Sequence, residues 1–178
     1  IPEGYGGSGL SLMAASVIME EINRTGGNSG ACHGQMYNMN TLIRHGSEEQ
    51  RRTYLPKIAS GELRLQSMGV TEPTAGTDTT RIKTTAVRKG DRYVINGQKV
   101  WISRVKHSDL MILLARTTPL DQVSKKSDGL SIFLVAGMFL NLVLPMASPI
   151  TASVIFGLAA LSLVIGWIQI RRNPPRWK

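Results

Sequence analysis

The hydrophobic period changes abruptly at Leu63, and that change confines the chain to an α+β fold. Before it, apolar residues recur every three to four positions; after it, they alternate. Leu10, Met13, Ala14, Val17, Ile18 and Glu21 share the helical period over residues 10–24, with Ile22 just beyond, and Gly26-Gly27 stops the run. A second helix is expected over 29–44, with Met36, Met39, Leu42 and Ile43 inward and Gly46 closing it. Ser47-Glu48-Glu49-Gln50 is a capping box, so a third helix starts at Glu48 and carries Tyr54, Leu55 and Ile58. Pro56 should end or kink it early, because proline has no amide to donate.

Beyond Leu63 the expected strands are 65–70, 82–88, 92–96, 98–103, 110–116 and 129–135. Lys89-Gly90-Asp91 and Asn96-Gly97 are the turns. Asn-Gly between Tyr93-Val94-Ile95 and Val100-Trp101-Ile102 is the strongest short-range hairpin signal. The expectation is three helices followed by an antiparallel sheet with closely spaced hairpins.

Composition narrows the function classes. With 42% hydrophobic and 19% charged residues, the 178-residue chain can bury a core, as one ordinary domain or parts of two. A net charge of +9 would suit nucleic acid, but the Lys and Arg residues are scattered singly or in pairs, with no aromatic-basic stripe. Cys32 stands alone, and three scattered histidines (His33, His45 and His107) build no metal cluster with it. On a helix, Cys32 and His33 point about 100° apart, which reads as a small buried cysteine rather than a nucleophile pair. The absence of a disulfide framework suggests a reducing compartment, and no signal peptide is visible. Gly4-Tyr5-Gly6-Gly7-Ser8-Gly9 satisfies G-x-G-x-x-G, but only Ile1-Pro2-Glu3 precedes it, so the strand of a dinucleotide fold is missing.

Two segments carry chemistry. Val70-Thr71-Glu72-Pro73-Thr74-Ala75-Gly76-Thr77-Asp78 is a loop dense in hydroxyls, and Val100-Trp101-Ile102-Ser103 puts an aromatic beside a hydroxyl. Thr71 and Ser103 can reach the polar edge of a flat ring system. Pro73 and Gly76 hold an irregular loop open so that amides point inward, and Trp101 supplies area for a ring face. A plain inter-strand loop beside a buried tryptophan is the other reading, since Thr, Gly and Asp are ordinary loop residues.

Thr71-Glu72-Pro73-Thr74-Ala75-Gly76-Thr77-Asp78 closely resembles the flavin loop of acyl-CoA dehydrogenases, T-E-P-x-A-G-S-D. Asn96-Gly97-Gln98-Lys99-Val100-Trp101-Ile102-Ser103 is similar to the family's I-N-G-x-K-x-W-I-[ST]. Pro2-Glu3-Gly4-Tyr5-Gly6-Gly7, Met19-Glu20-Glu21, His45-Gly46-Ser47-Glu48-Glu49-Gln50 and Tyr54-Leu55-Pro56 also match, in order, and the likeness runs to about Val135. The resemblance implies FAD and α,β-dehydrogenation of an acyl-CoA to a 2-enoyl-CoA, with a carboxylate removing the α-proton and a hydride passing to the flavin. Carried over by position, Met68, Gly69, Val70, Thr71, Gly76 and Thr77 line the flavin. Trp101 and Ile102 cover it, Ser103 bonds near N5, and Thr77 also meets the substrate. Thr77 stands for the usual Ser and Thr74 for a frequent Gly.

No catalytic residue is assigned, because the family's base is a Glu of a C-terminal helical domain that this sequence lacks. Glu72, in the loop, is not that base. The Arg and the Gln-Gly-Gly segment that complete the family's FAD site across a dimer are also missing. The resemblance further implies an electron-transfer flavoprotein as acceptor, a homo-oligomer, a cytoplasmic setting and a basic surface suited to anionic ligands. The expectation is a fragment inactive by itself, and the alternative is a membrane-anchored flavin or acyl-CoA-binding module without catalysis.

Residues 129–170 contain no Asp, Glu, Lys, Arg or His, which sets them apart from everything before. Two apolar stretches, 130–147 and 150–170, are separated by Pro145 and Pro149 and suggest one or two hydrophobic helices. The second is long enough to span a bilayer, with Trp167 and Arg171-Arg172 at its end. A single span would put Arg171, Arg172, Arg176 and Lys178 on the wrong side for the positive-inside bias, and a two-span hairpin would consume the strand at 129–135. The division expected is 1–63 as the end of a helical domain, 64–135 as an incomplete β-domain, and 136–178 as an unrelated transmembrane tail.

Overall fold

A computed structural model describes residues 1–136; the apolar tail and its expected helices lie outside these. Helices α1 (Leu12–Arg24), α2 (Gly30–His45) and α3 (Glu48–Ala59) come first. Strands β1 (Leu65–Gly69), β2 (Thr85–Lys89), β3 (Arg92–Asn96), β4 (Leu110–Arg116) and β5 (Leu130–Ala136) follow. The α+β reading stands. Among the described residues no helix is long and apolar enough to cross a membrane.

Local chemistry accounts for the helix ends. Ser11 caps α1 through the Ala14 amide, and at α3 Ser47 accepts from the Gln50 amide while the Gln50 side chain accepts from Ser47. Pro56 does not end α3 early. The helix runs to Ala59, and the Pro56 carbonyl still accepts from Ser60 at 3.0 Å. Proline forgoes only the bond its own amide would make to the Arg52 carbonyl, and the turn after it still forms. The apolar stripe has the expected spacing, yet its Leu10, Met13, Val17 and Ile18 are exposed among the described residues. Cys32 is exposed rather than buried, because α2 turns Gly34, Asn38 and Leu42 inward instead.

The expected antiparallel sheet is in fact mixed. Its order is β1-β4-β2-β3, with β5 on the other side of β4. β1 runs parallel to β4 from Leu65 opposite Leu110 to Gly69 opposite Leu113, and β2 meets β4, also parallel, at Thr85 opposite Arg116. β2–β3 and β4–β5 are antiparallel. Two successive strands therefore share one edge of β4, and the chain between them must leave the sheet at the gap.

Lys89-Gly90-Asp91 makes the β2–β3 turn, with Lys89 opposite Arg92 and Gly90 at φ 63°. Asn96-Gly97 makes no hairpin, and 98–103 is not a strand. The mirror-image turn needs positive φ at both central residues, and neither Asn96 nor Gly97 has it. Gly97 serves a different purpose. A Cβ there would lie 2.6 Å from Thr84 Cα and still closer to its hydroxyl, so only glycine lets the backbone pass. Gly97→Ala should cost about 1–3 kcal/mol in urea unfolding. Gly76→Ala, with nothing within 4 Å of the added carbon, should stay within about 0.5 kcal/mol of the parent.

One core cluster joins both halves: Leu42, Leu55 and Ile58 from the helices meet Leu65 and Ile112 from the sheet. α2 also guards the free edge of β1, where the Gln35 side chain accepts from the Leu65 amide at 3.0 Å. A second cluster, Ala86, Met111, Leu113, Ala115 and Phe133, fills the sheet's other layer. Together they fix β4 as the rigid strand from which the site is hung.

Candidate functional site

The site forms where β1 stops. Met68 and Gly69 are the last residues of the strand, and Gly69 is packed against Leu113 and Met111. The chain leaves the sheet at Val70. Thr71 then presents its carbonyl to the Val100 amide at 2.9 Å, so the loop and the segment before Trp101 lie side by side. Glu72 and Ala75 close a tight turn through mutual backbone bonds of 2.9 and 3.2 Å around Pro73-Thr74. Gly76, Thr77 and Asp78 continue outward, exposed, and Asp78 is held by Thr80, whose hydroxyl and amide draw its carboxyl below the ordinary range.

Residues 101–104 form a turn rather than a strand. Trp101 and Arg104 both sit at φ 58°, a left-handed conformation that non-glycine residues adopt only when their surroundings hold them there. The holding contacts are visible. Arg104 Nε donates to Gln66 Oε1 at 2.8 Å, and the Ser67 hydroxyl, 2.9 Å from that of Ser108, donates to the Ser103 carbonyl at 3.0 Å. In consequence Trp101 is 90% exposed and Ser103 is exposed beside it, while Ile102 is half-buried against the second core cluster. The buried tryptophan of the alternative reading is absent. An indole left standing in solvent at the cost of a strained backbone is a surface available to a ligand ring.

A buried ion pair fastens the two segments. Glu72 Oε1 accepts from Lys99 Nζ at 2.9 Å, with side-chain exposures of 3% and 8%. The carboxylate also accepts from the Thr84 amide at 2.9 Å and the Lys83 amide at 2.6 Å, and Lys99 Nζ donates to the Val70 carbonyl at 3.0 Å. Burial by itself would raise the Glu72 carboxyl. Hydrogen bonds from Thr84, the Lys83 amide and Lys99 outweigh it and hold the group at about 2. Residues 82–84, expected to begin a strand, are diverted, because the Lys83 and Thr84 amides serve this carboxylate and the Ile82 amide bonds the Thr79 carbonyl. Glu72 is thus fully ionised and fully engaged, which is unsuited to a proton-abstracting base.

Arg116, at the end of β4, performs a similar service for the outer loop. The residue is 6% exposed, and its guanidinium donates to the carbonyls of Thr80 (2.7 Å), Asp128 (3.0 Å), Lys126 (3.1 Å) and Thr118 (3.5 Å). Lys99 and Arg116 escaped the reading by residue type. A charge at the end of an apolar run marks Arg116 and one beside Val100-Trp101-Ile102 marks Lys99, but their partners lie at distances along the chain that no local pattern reveals.

Thr71, Trp101 and Ser103 therefore converge at the break in the sheet edge, while Gly76 and Thr77 stand further out on the same loop. Among the described residues no cluster could hold a metal ion. A helical half packed on a mixed sheet thus carries a hydroxyl-rich loop and a solvent-facing indole at the break. The family model for the acyl-CoA dehydrogenase N-terminal domain matches residues 1–62, and that for the middle domain matches residues 67–141.

The chain belongs to the acyl-CoA dehydrogenase family, a family of oxidoreductases. It is 40% identical over 141 residues to acyl-CoA dehydrogenase FadE26 of Mycobacterium tuberculosis, covering 75% of this chain and 33% of that protein. To the mitochondrial isovaleryl-CoA dehydrogenase of Bos taurus it is 41% identical over 118 residues, covering 65% and 28%. Among solved structures, a glutaryl-coenzyme A dehydrogenase in complex with glutaryl-CoA superposes with a TM-score of 0.66 at 36% identity, covering 76% of this chain and 34% of that one. The chain spans about a third of the length of the relatives it matches.

Proposed function

We propose that these residues supply one wall of the FAD site of an enzyme that converts an acyl-CoA to its 2-enoyl-CoA. The carrying observation is the Thr71–Val100 hydrogen bond, which sets the exposed Trp101 and Ser103 beside the hydroxyl-rich loop. The donor set suits a flavin. Val70 and Thr71 offer a backbone edge and a hydroxyl, Met68 and Gly69 floor the position, Trp101 and Ile102 provide apolar area, and Ser103 a second hydroxyl. When bound, the flavin supplies the acceptor for the substrate's β-hydrogen. The protein's own contribution is to fix the ring between two walls and keep hydroxyls at its polar edge.

Gly76 and Thr77, further out on the loop, line the flavin in this reading, and Thr77 also faces the acyl-CoA. The complex of a relative with glutaryl-CoA supports the substrate class, as does the chain's net charge of +9. In this reading the carboxylate base and the opposite flavin wall come from elsewhere, and this wall by itself should not turn over. An electron-transfer flavoprotein as acceptor, a homo-oligomer and a cytoplasmic setting complete the proposal. A second reading, a membrane-anchored flavin or acyl-CoA-binding module, is favoured by one observation, the uncharged run 129–170.

Titration of the full chain with FAD, followed by flavin fluorescence, tests the site. Binding is expected, and Trp101→Ala should weaken it about tenfold, the worth of one aromatic stacking contact. A folded chain that leaves FAD fluorescence unchanged at saturating concentration would refute the reading. Steady turnover of an acyl-CoA with an artificial acceptor would refute the claim of inactivity. Recovery of the yellow protein in carbonate-washed membranes would select the anchored module.

A further inference from the structure

We infer that Lys99 is a positioning residue for the ring-binding walls, acting through Glu72 and the Val70 carbonyl to set Trp101–Ser103 against Thr71. The inference rests on the flavin reading and deepens it. Residues from three separate segments converge on this one buried contact. Val70 and Glu72 belong to the loop leaving β1, Lys83 and Thr84 to the strap before β2, and Lys99 to the chain leaving β3. Lys99 lies one residue before the Val100 amide that bonds Thr71, and two before Trp101. Its ammonium therefore ties the loop that carries Thr71 to the segment that carries Trp101.

The geometry separates anchoring from packing. Glu72 retains two backbone donors without Lys99, so the loop keeps its own turn. What Lys99 adds is the tie from that turn to the next segment, and its second bond, to Val70, reaches the residue before Thr71. A long flexible side chain that is 8% exposed and bonded at two points has surrendered its rotamer freedom before any ligand arrives. Ligand binding then need not pay to order the walls. Trp101 at φ 58° is consistent with this, since a left-handed residue persists only while neighbouring contacts impose it.

The test uses the full chain with FAD as the probe. Lys99→Met should lower FAD affinity at least tenfold at a temperature where far-ultraviolet circular dichroism shows the variant folded, and Lys99→Arg should restore most of it. A folded Lys99→Met chain that binds FAD as tightly as the parent overturns the inference. Absence of FAD binding by the parent itself refutes the flavin reading, and this inference with it, before any variant is made. Amide hydrogen exchange on the parent decides the matter should Lys99→Met not fold. The Thr84 and Val100 amides should be protected before FAD is added and change little afterwards. Exchange that is rapid until FAD arrives would show that the walls are not preset.

Discussion

Glu72→Ala should be the most damaging single substitution in the described part of the chain, lowering unfolding free energy by about 3–5 kcal/mol. The change strands Lys99, an ammonium 8% exposed, with the Val70 carbonyl as its remaining acceptor, and orphans the amides of Lys83 and Thr84. Urea unfolding measures the loss directly, and a melting point within a degree or two of the parent would exclude this account. The same carboxylate imposes a pH dependence. Its folded value of about 2 lies below the ordinary 4.5. The stabilisation it provides is therefore complete above the unfolded value and lost as pH falls from about 4.5 towards 2. The separation corresponds to ~3 kcal/mol, and Glu72→Gln should remove that acid limb from a plot of stability against pH.

Arg116→Met comes second, at about 3 kcal/mol. Four carbonyls at 2.7–3.5 Å lose a charged donor together, one in the strap at Thr80 and three in the 118–128 loop. Among the described residues no carboxylate pairs with Arg116, so removing the charge recovers some desolvation and keeps the loss below that of a severed ion pair. Limited proteolysis should then cut within 118–128 faster than in the parent. Unchanged urea stability together with unchanged cleavage would show that the guanidinium is not what joins these loops.

The element types were legible because they depend on local period and local caps. Ser47 and Gln50 form their capping box as written, Gly90 turns β2 into β3, and the core residues Leu42, Leu55 and Ile58 lie on the faces their spacing implies. The failures share one cause. Gln98-Lys99-Val100-Trp101 follows an Asn-Gly turn signal as a hairpin strand would, but an ammonium cannot be left unpaired in a buried position, and the acid that satisfies it is 27 residues away. Once Lys99 reaches Glu72, the chain after Gly97 must leave β3, and the apparent Asn-Gly hairpin cannot form. Cys32 and the stripe of α1 were misjudged for a related reason. Periodicity tells which residues share a face, not whether another element covers it.

The sequence by itself determined the α+β order, the hydroxyl-rich loop and the tryptophan-bearing segment, and with them the family, since each is carried by contiguous residues. Tertiary structure decided the mixed sheet, the break at Val70 from which the loop departs, and the pairing of Glu72 with Lys99 that joins the two walls. Strand pairing and burial of charge depend on which distant segments meet. Their energies belong to a pair of residues rather than to either one, and so the pair had to be seen together.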